Sequence, residues 1–169
     1  MKAVHMLGGL GSQMLAYSLY LALKKAYPNE KVICDFTAMH RYGHVCHNGE
    51  ELTKIFDIKE QYIPYYLAPI IYSKNIFYRF LRGLSKTFGL IKFHDALDNK
   101  YNFDESVFNQ KGTVIYHQCW TSWKFFLGVE SQIREIFKFK PIKGQKNIET
   151  LEKTLSSNSI SVHVRRGDY

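Results

Sequence analysis

The stretch Lys2-Ala3-Val4-His5-Met6-Leu7-Gly8-Gly9-Leu10-Gly11-Ser12-Gln13, with the apolar run that follows it, decides the fold. Lys2–Met6 reads as a short strand. Gly8-Gly9-Leu10-Gly11 reads as a turn, and Ser12 to Tyr27 as a helix, with Ser12 placed to cap it and Pro28-Asn29 to stop it. Apolar residues lie nearly all round this helix, so it is expected to be buried on several sides. Lys31-Val32-Ile33-Cys34-Asp35 then reads as a second strand. Strand, glycine turn, helix and strand form a βαβ unit, which requires parallel strands and a right-handed crossover. Met14–Leu23 imitates the apolar part of a signal peptide. The polar glycine turn precedes it, however, and Lys24-Lys25 stands where small residues mark cleavage.

Further along, Glu50–Phe56 reads as a short helix and Thr113–His117 as a strand. Val129, Ile133, Ile136 and Phe137 fall on one helical face, and Ile148, Leu151 and Leu155 on another. Ser159–Val164 reads as a last strand. In it Ile160, Val162 and Val164 point to a core, while Ser161, His163 and Arg165 point the other way. The fold class is α/β. Between Gln61 and His94 there is no acidic residue, and Lys74, Arg79, Arg82, Lys86 and Lys92 alternate with Tyr72, Phe77, Tyr78, Phe80 and Phe88. That stretch is read as a helix pair with a solvated basic face, or as a surface for a membrane or an anionic ligand.

The 169 residues are 46% hydrophobic and 22% charged, which suffices for a domain with its own core and excludes a disordered or collagen-like chain. The net charge of +8 favours anionic partners. Cys34, Cys46 and Cys119 are an odd count without a CxxC pair, so a reducing compartment fits better than a disulfide scaffold. No run of the ~18–20 apolar residues needed for a membrane span occurs. The basic residues are spread along the chain and match no zinc-finger, RRM or KH signature, so nucleic acid is not an expected partner. His40, His44, Cys46 and His47 are metal-ligand types, but Gly43 weakens a helix there and no second cluster joins them; no metal site is expected.

The end of the chain carries the chemistry. Arg165 and Arg166 sit at the carboxyl end of the last expected strand, where open α/β sheets bind ligands. Guanidinium groups remain charged and bond phosphate oxygens in pairs. Asp168 is placed to hold one of them or to take a sugar hydroxyl. As an isolated motif, the same residues also suit a basic surface turn.

His163-Val164-Arg165-Arg166-Gly167-Asp168-Tyr169 resembles the HxRRxD signature of the α-1,2-, α-1,6- and protein O-fucosyltransferases. Gly8-Gly9-Leu10-Gly11-Ser12-Gln13-Met14 is similar to the GGLGNQM loop of glycosyltransferase family 11, and Trp120–Phe126 resembles that family's WQSEKYF segment. Tyr42–Phe56 is similar to a weaker early block. The resemblance implies a Rossmann-like amino-terminal, acceptor-side domain of a GT-B enzyme over residues 1–157. Residues 158–169 would be the first strand and HxRRxD motif of a GDP-fucose-binding domain, truncated there. It implies inverting, metal-independent transfer of L-fucose from GDP-fucose to the 2-hydroxyl of a terminal galactose, with no cofactor. Arg165 and Arg166 would bind the GDP phosphates, with Arg165, His163 and Asp168 catalytic. Gly9, Gly11, Ser12 and Gln13 would face the donor sugar.

Several features depart from that pattern. Ser12 stands where the family loop has Asn, and Thr121 and Trp123 stand for Gln and Glu. With a single wall of the donor pocket, residues 1–169 are expected not to transfer fucose alone. The acceptor base is not fixed by sequence; His163, Asp168 and His5 are the candidates. The alternatives are a non-catalytic relic or acceptor-binding module, and an HxRRxD fucosyltransferase of another linkage. The expected location is the cytoplasm, with peripheral contact at the inner membrane face.

Overall fold

A computed structural model describes residues 1–44, 49–117, 120–162 and 164. The chain divides into two compact units, Met1–Lys138 and Phe139–Tyr169. The first holds a four-stranded parallel sheet of order β2-β1-β4-β3, made of β1 (Lys2–His5), β2 (Val32–Asp35), β3 (Ile91–Asp95) and β4 (Thr113–His117). The expected βαβ unit is present: Val4 pairs with Cys34 and His5 with Asp35, in parallel register. The other central pairing aligns Val4 with Tyr116.

Alternation along the strands builds two apolar layers. Val4, Cys34, Val114 and Tyr116 pack on one face with α1 (Leu10–Ala26), Trp120 and Phe125. Ala3, Ile33, Ile91 and Ile115 pack on the other with Ala38 of α2 (Thr37–Tyr42) and with Ala68, Ile71 and Tyr72 of α4 (Ala68–Tyr72). Between α2 and α4 lies the single turn α3 (Leu52–Ile55), within the expected Glu50–Phe56 helix. The Gln61–His94 stretch contains the expected helix pair, α4 and α5 (Ile76–Thr87), and also β3. In β3, Ile91 and Phe93 join one layer while Lys92 and His94 alternate with them.

α1 begins earlier than the sequence suggests. Gly9 flanks it and the Ser12 hydroxyl makes no capping bond. Instead the Leu10 amide donates to Glu51 Oε2 at 3.2 Å. A carboxylate from a distant segment thus satisfies one of the free amides and meets the positive end of the helix.

α6 (Glu130–Ile136) closes the first unit, and α7 (Gln145–Leu155) is the helix of the second. The last expected strand is not formed among the described residues. Residues 159–162 and 164 adopt no regular element, and Ile160, Val162 and Val164 are exposed. An apolar strand is stabilised by a ladder and an opposing layer, and the described residues give this segment neither.

Candidate functional site

The central strands β1 and β4 join two sequence-local pairs, β1–β2 and β3–β4. In open parallel sheets the crevice beyond the carboxyl ends of such strands is the usual ligand site. Here that position holds a cleft of about 450 Å³ lined by His5, His44, Tyr72, Arg79, Arg82 and His117, with Ile71, Ser73 and Lys74 completing it.

His5 and His117 are the last residues of β1 and β4. Their Nδ1 atoms lie 2.9 Å apart, so one ring donates and the other accepts. A neutral pair sharing one such proton leaves one Nε2 protonated and the other bare, whichever ring donates. The pair is neutral at ordinary pH. Burial, aided by His117 and His44, pushes His5 down to about 3. Burial also pushes His117 down to about 4, with Lys86, His44 and Arg82 acting in the same direction and Asp95 opposing them. Among the described residues, His5 Nε2 is buried and has no hydrogen-bond partner. An unpaired buried polar atom costs free energy comparable to a lost hydrogen bond.

A second polar centre positions the cleft wall. Asp35, fully buried at the end of β2, accepts bonds from the Thr37 amide (2.9 Å) and the Ile63 amide (3.3 Å). It also accepts from the Thr37 and Tyr72 hydroxyls. Burial first, and Asp35 second, raise Tyr72 well above the ordinary phenol range, so it stays a donor. Held this way, the Tyr72 ring stands 5.2 Å from His5. Gly43, at φ +64°, ends α2 and turns the chain toward His44, 6.4 Å from His5.

The rim is cationic. Lys74, Arg79 and Arg82 line the cleft, and none of the described lining residues is acidic. Arg82 bonds the Ile71 carbonyl at 2.6 Å, which caps α4 and fixes the guanidinium. Among the described residues, no carboxylate pairs with any of the three.

The glycine loop leaves β1 just after His5 and behaves differently. Gln13 is fully buried. Its Nε2 donates to the Gly8 and Gly49 carbonyls, both at 2.8 Å. Its Oε1 accepts from the Glu51 and Leu52 amides, both at 3.1 Å. That exhausts the donors and acceptors of a primary amide, so Gln13 positions the loop and has no group left for a sugar. Gly8 has φ +77°, and a Cβ there would stand 2.8 Å from Ser12 Cβ. Gly9 flanks α1, Ser12 is half-buried, and Gly11 is exposed with open space around it.

Of the remaining expected site residues, His163, Arg165, Arg166 and Asp168 lie outside the described residues, as do Cys46 and His47. His40 does not join His44; it sits with Glu50 and Glu60, their ligand-type atoms within 4.8 Å of one another. Those groups are engaged locally: His40 Nδ1 is 3.0 Å from the Tyr62 hydroxyl, and Glu50 accepts from the Thr53 amide at 2.7 Å. His117 and Asp35 carry no motif in the sequence, and Tyr72 stands there only as one ring of the basic, aromatic stretch. Their signal was their place at strand and helix ends, legible only once the sheet order is known.

Over 163 residues, 96% of this chain, the sequence is 27% identical to an alpha-1,2-colitosyltransferase of Escherichia coli. The chain spans about half (53%) of that relative's length. No family profile matches it, and no solved structure matches it.

Proposed function

We propose that this chain supplies the acceptor side of an inverting, metal-independent glycosyltransferase that moves L-fucose from GDP-fucose to the 2-hydroxyl of a terminal galactose. What carries the reading is the likeness to an alpha-1,2-colitosyltransferase along nearly the whole chain. The parallel sheet and the cleft at its carboxyl edge support it. So does the resemblance of the glycine loop and the HxRRxD segment to family 11 fucosyltransferases.

The cleft residues suit the acceptor's part. A galactose hydroxyl bound in the cleft is placed beside the His117 imidazole, whose Nε2 is bare when His117 donates the shared Nδ1 proton to His5. As the hydroxyl oxygen bonds the anomeric carbon, the bond to the diphosphate breaks and GDP leaves with its electron pair. The hydroxyl proton passes to the bare Nε2. A base depressed to about 4 is adequate for this step. The proton leaves late, from an oxygen already bonded to an oxocarbenium-like carbon and therefore strongly acidic. Arg165 and Arg166 are assigned to the departing diphosphate, where loss of one such donor typically costs ~3–4 kcal/mol of barrier.

A second donor has a specific observation in its favour: the relative is named for colitose, so the α-1,2 linkage rather than the sugar is the common ground. Two measurements test the reading. Lactose should shift the ring resonances of His5 and His117, and His117→Phe should abolish the response. GDP-fucose should raise the melting temperature where oligonucleotides do not; a larger rise with GDP-colitose would exchange the donor. Unmoved histidine signals at saturating galactoside would remove the cleft from the acceptor role.

A further inference from the structure

α5 is an amphipathic helix turned the opposite way from a core helix. Tyr78, Leu81, Arg82 and Ser85 recur at helical spacing and are its half-buried side. Its large apolar residues point away: Ile76 is 76% exposed, Phe77 60% and Phe80 63%, with Leu84 and Phe88 continuing the stripe. Leu90, Tyr65 and Tyr66, from segments nearby in sequence, are exposed too. The helix is well formed despite this. Asn75 caps it by accepting from the Phe77 amide at 2.9 Å, and it packs on α4 and β3. An exposed apolar stripe concentrated on one well-formed helix marks an interaction site.

Charge selects the occupant. By helical periodicity Arg79 and Lys86 run along the flank between the inward Arg82 and the outward Ile76. Lys74 precedes the helix and Lys92 follows it. From Gln61 to His94 no acidic residue offsets them. Exposed aromatic and aliphatic side chains beside cations without counter-charges fit a lipid interface of negative charge. No helix among the described residues is long and apolar enough to cross a membrane, so the contact is one of lying on the surface. We infer that α5 docks the protein on an anionic bilayer, with Phe77 and Phe80 entering the acyl boundary and Lys74, Arg79 and Lys86 meeting the headgroups. This does not depend on the glycosyl-transfer reading.

The test is flotation of the full chain with vesicles of phosphatidylcholine alone or mixed with phosphatidylglycerol. Binding is expected to the mixed vesicles and to weaken with added salt. Phe77→Ser with Phe80→Ser should lower it by about tenfold or more. Arg79→Gln with Lys86→Gln should reduce it less and weaken its salt dependence. All four side chains are exposed, so circular dichroism of each variant should match the parent. Absence of binding, equal binding to both vesicle types, or binding indifferent to the Phe77 and Phe80 changes would overturn the inference. So would a parent that self-associates through this face, shown by a dimer that the same substitutions dissolve.

Discussion

The glycine loop and the histidine cleft both follow the carboxyl end of β1, yet they solve opposite problems. In the loop every polar group of Gln13 is spent on backbone, and Glu51 meets the helix end. Among the described residues, His5 Nε2 in the cleft is buried without a partner, and the three cations of the rim have no carboxylate counter-ion. A saturated region is a frame, whereas an unsaturated one keeps free energy available for a ligand. The glycine loop is therefore largely scaffold, whereas the buried histidine pair of the cleft is contributed singly by two strand ends.

The largest expected effect tests the cleft. In the unfolded chain His5 and His117 titrate near 6.5, but in the folded protein near 3 and 4. Below pH 6.5 the unfolded chain takes up protons that the folded one refuses. Stability therefore falls as pH drops through 6.5 and continues to fall until the folded values are passed. Between pH 7 and pH 5 the loss is about 4 kcal/mol for the two groups together. Urea midpoints at the two pH values measure it, in a window above most carboxylate titration. His117→Gln should flatten the dependence by about half. Equal midpoints at pH 7 and pH 5 would show that the pair is not held neutral by burial.

The loop has its own break point. Gln13→Ala strands two carbonyls and two amides at a buried site, so it should cost about 3 kcal/mol or more. Its signature is a lower urea midpoint at every pH, with the slope between pH 7 and pH 5 unchanged. If Gln13→Ala instead left stability intact and altered only ligand response, the loop would belong with the cleft and the contrast would fail.

How much of this was readable in advance follows from range. The βαβ unit was legible because strand, glycine turn and helix are adjacent in sequence and each has local chemistry. α6 and α7 were legible from single apolar stripes. The start of α1 is not legible locally, because the Leu10 amide bonds Glu51, 41 residues away and invisible to local rules. β3 is hidden in the sequence because Lys92 and His94 blend into a basic stretch; only pairing with β4 separates the alternating faces. His5 was singled out as a base candidate, but its partner His117 needs the sheet order, since the two are brought together only by β1 lying beside β4. The Asp35–Tyr72 bond depends on tertiary packing in the same way.

The smallest effect sharpens the boundary between the two regions, because it falls on two glycines of one loop. At Gly8 the left-handed backbone and the approach of Ser12 make any side chain costly, and Gly8→Ala should lose about 2 kcal/mol. Gly11 differs: it lies in the first turn of α1, is exposed, and a methyl there would touch nothing within 4 Å. Alanine is the better helix former and restricts the unfolded chain, so Gly11→Ala should gain about 0.5 to 1 kcal/mol. That gain is informative only beside a ligand measurement. If the open space at Gly11 receives the donor sugar, the same methyl should raise the melting temperature of the free protein while shrinking its further rise with GDP-fucose. If both increase in parallel, the space is plain solvent, the whole loop is frame, and the donor must be held by residues beyond it.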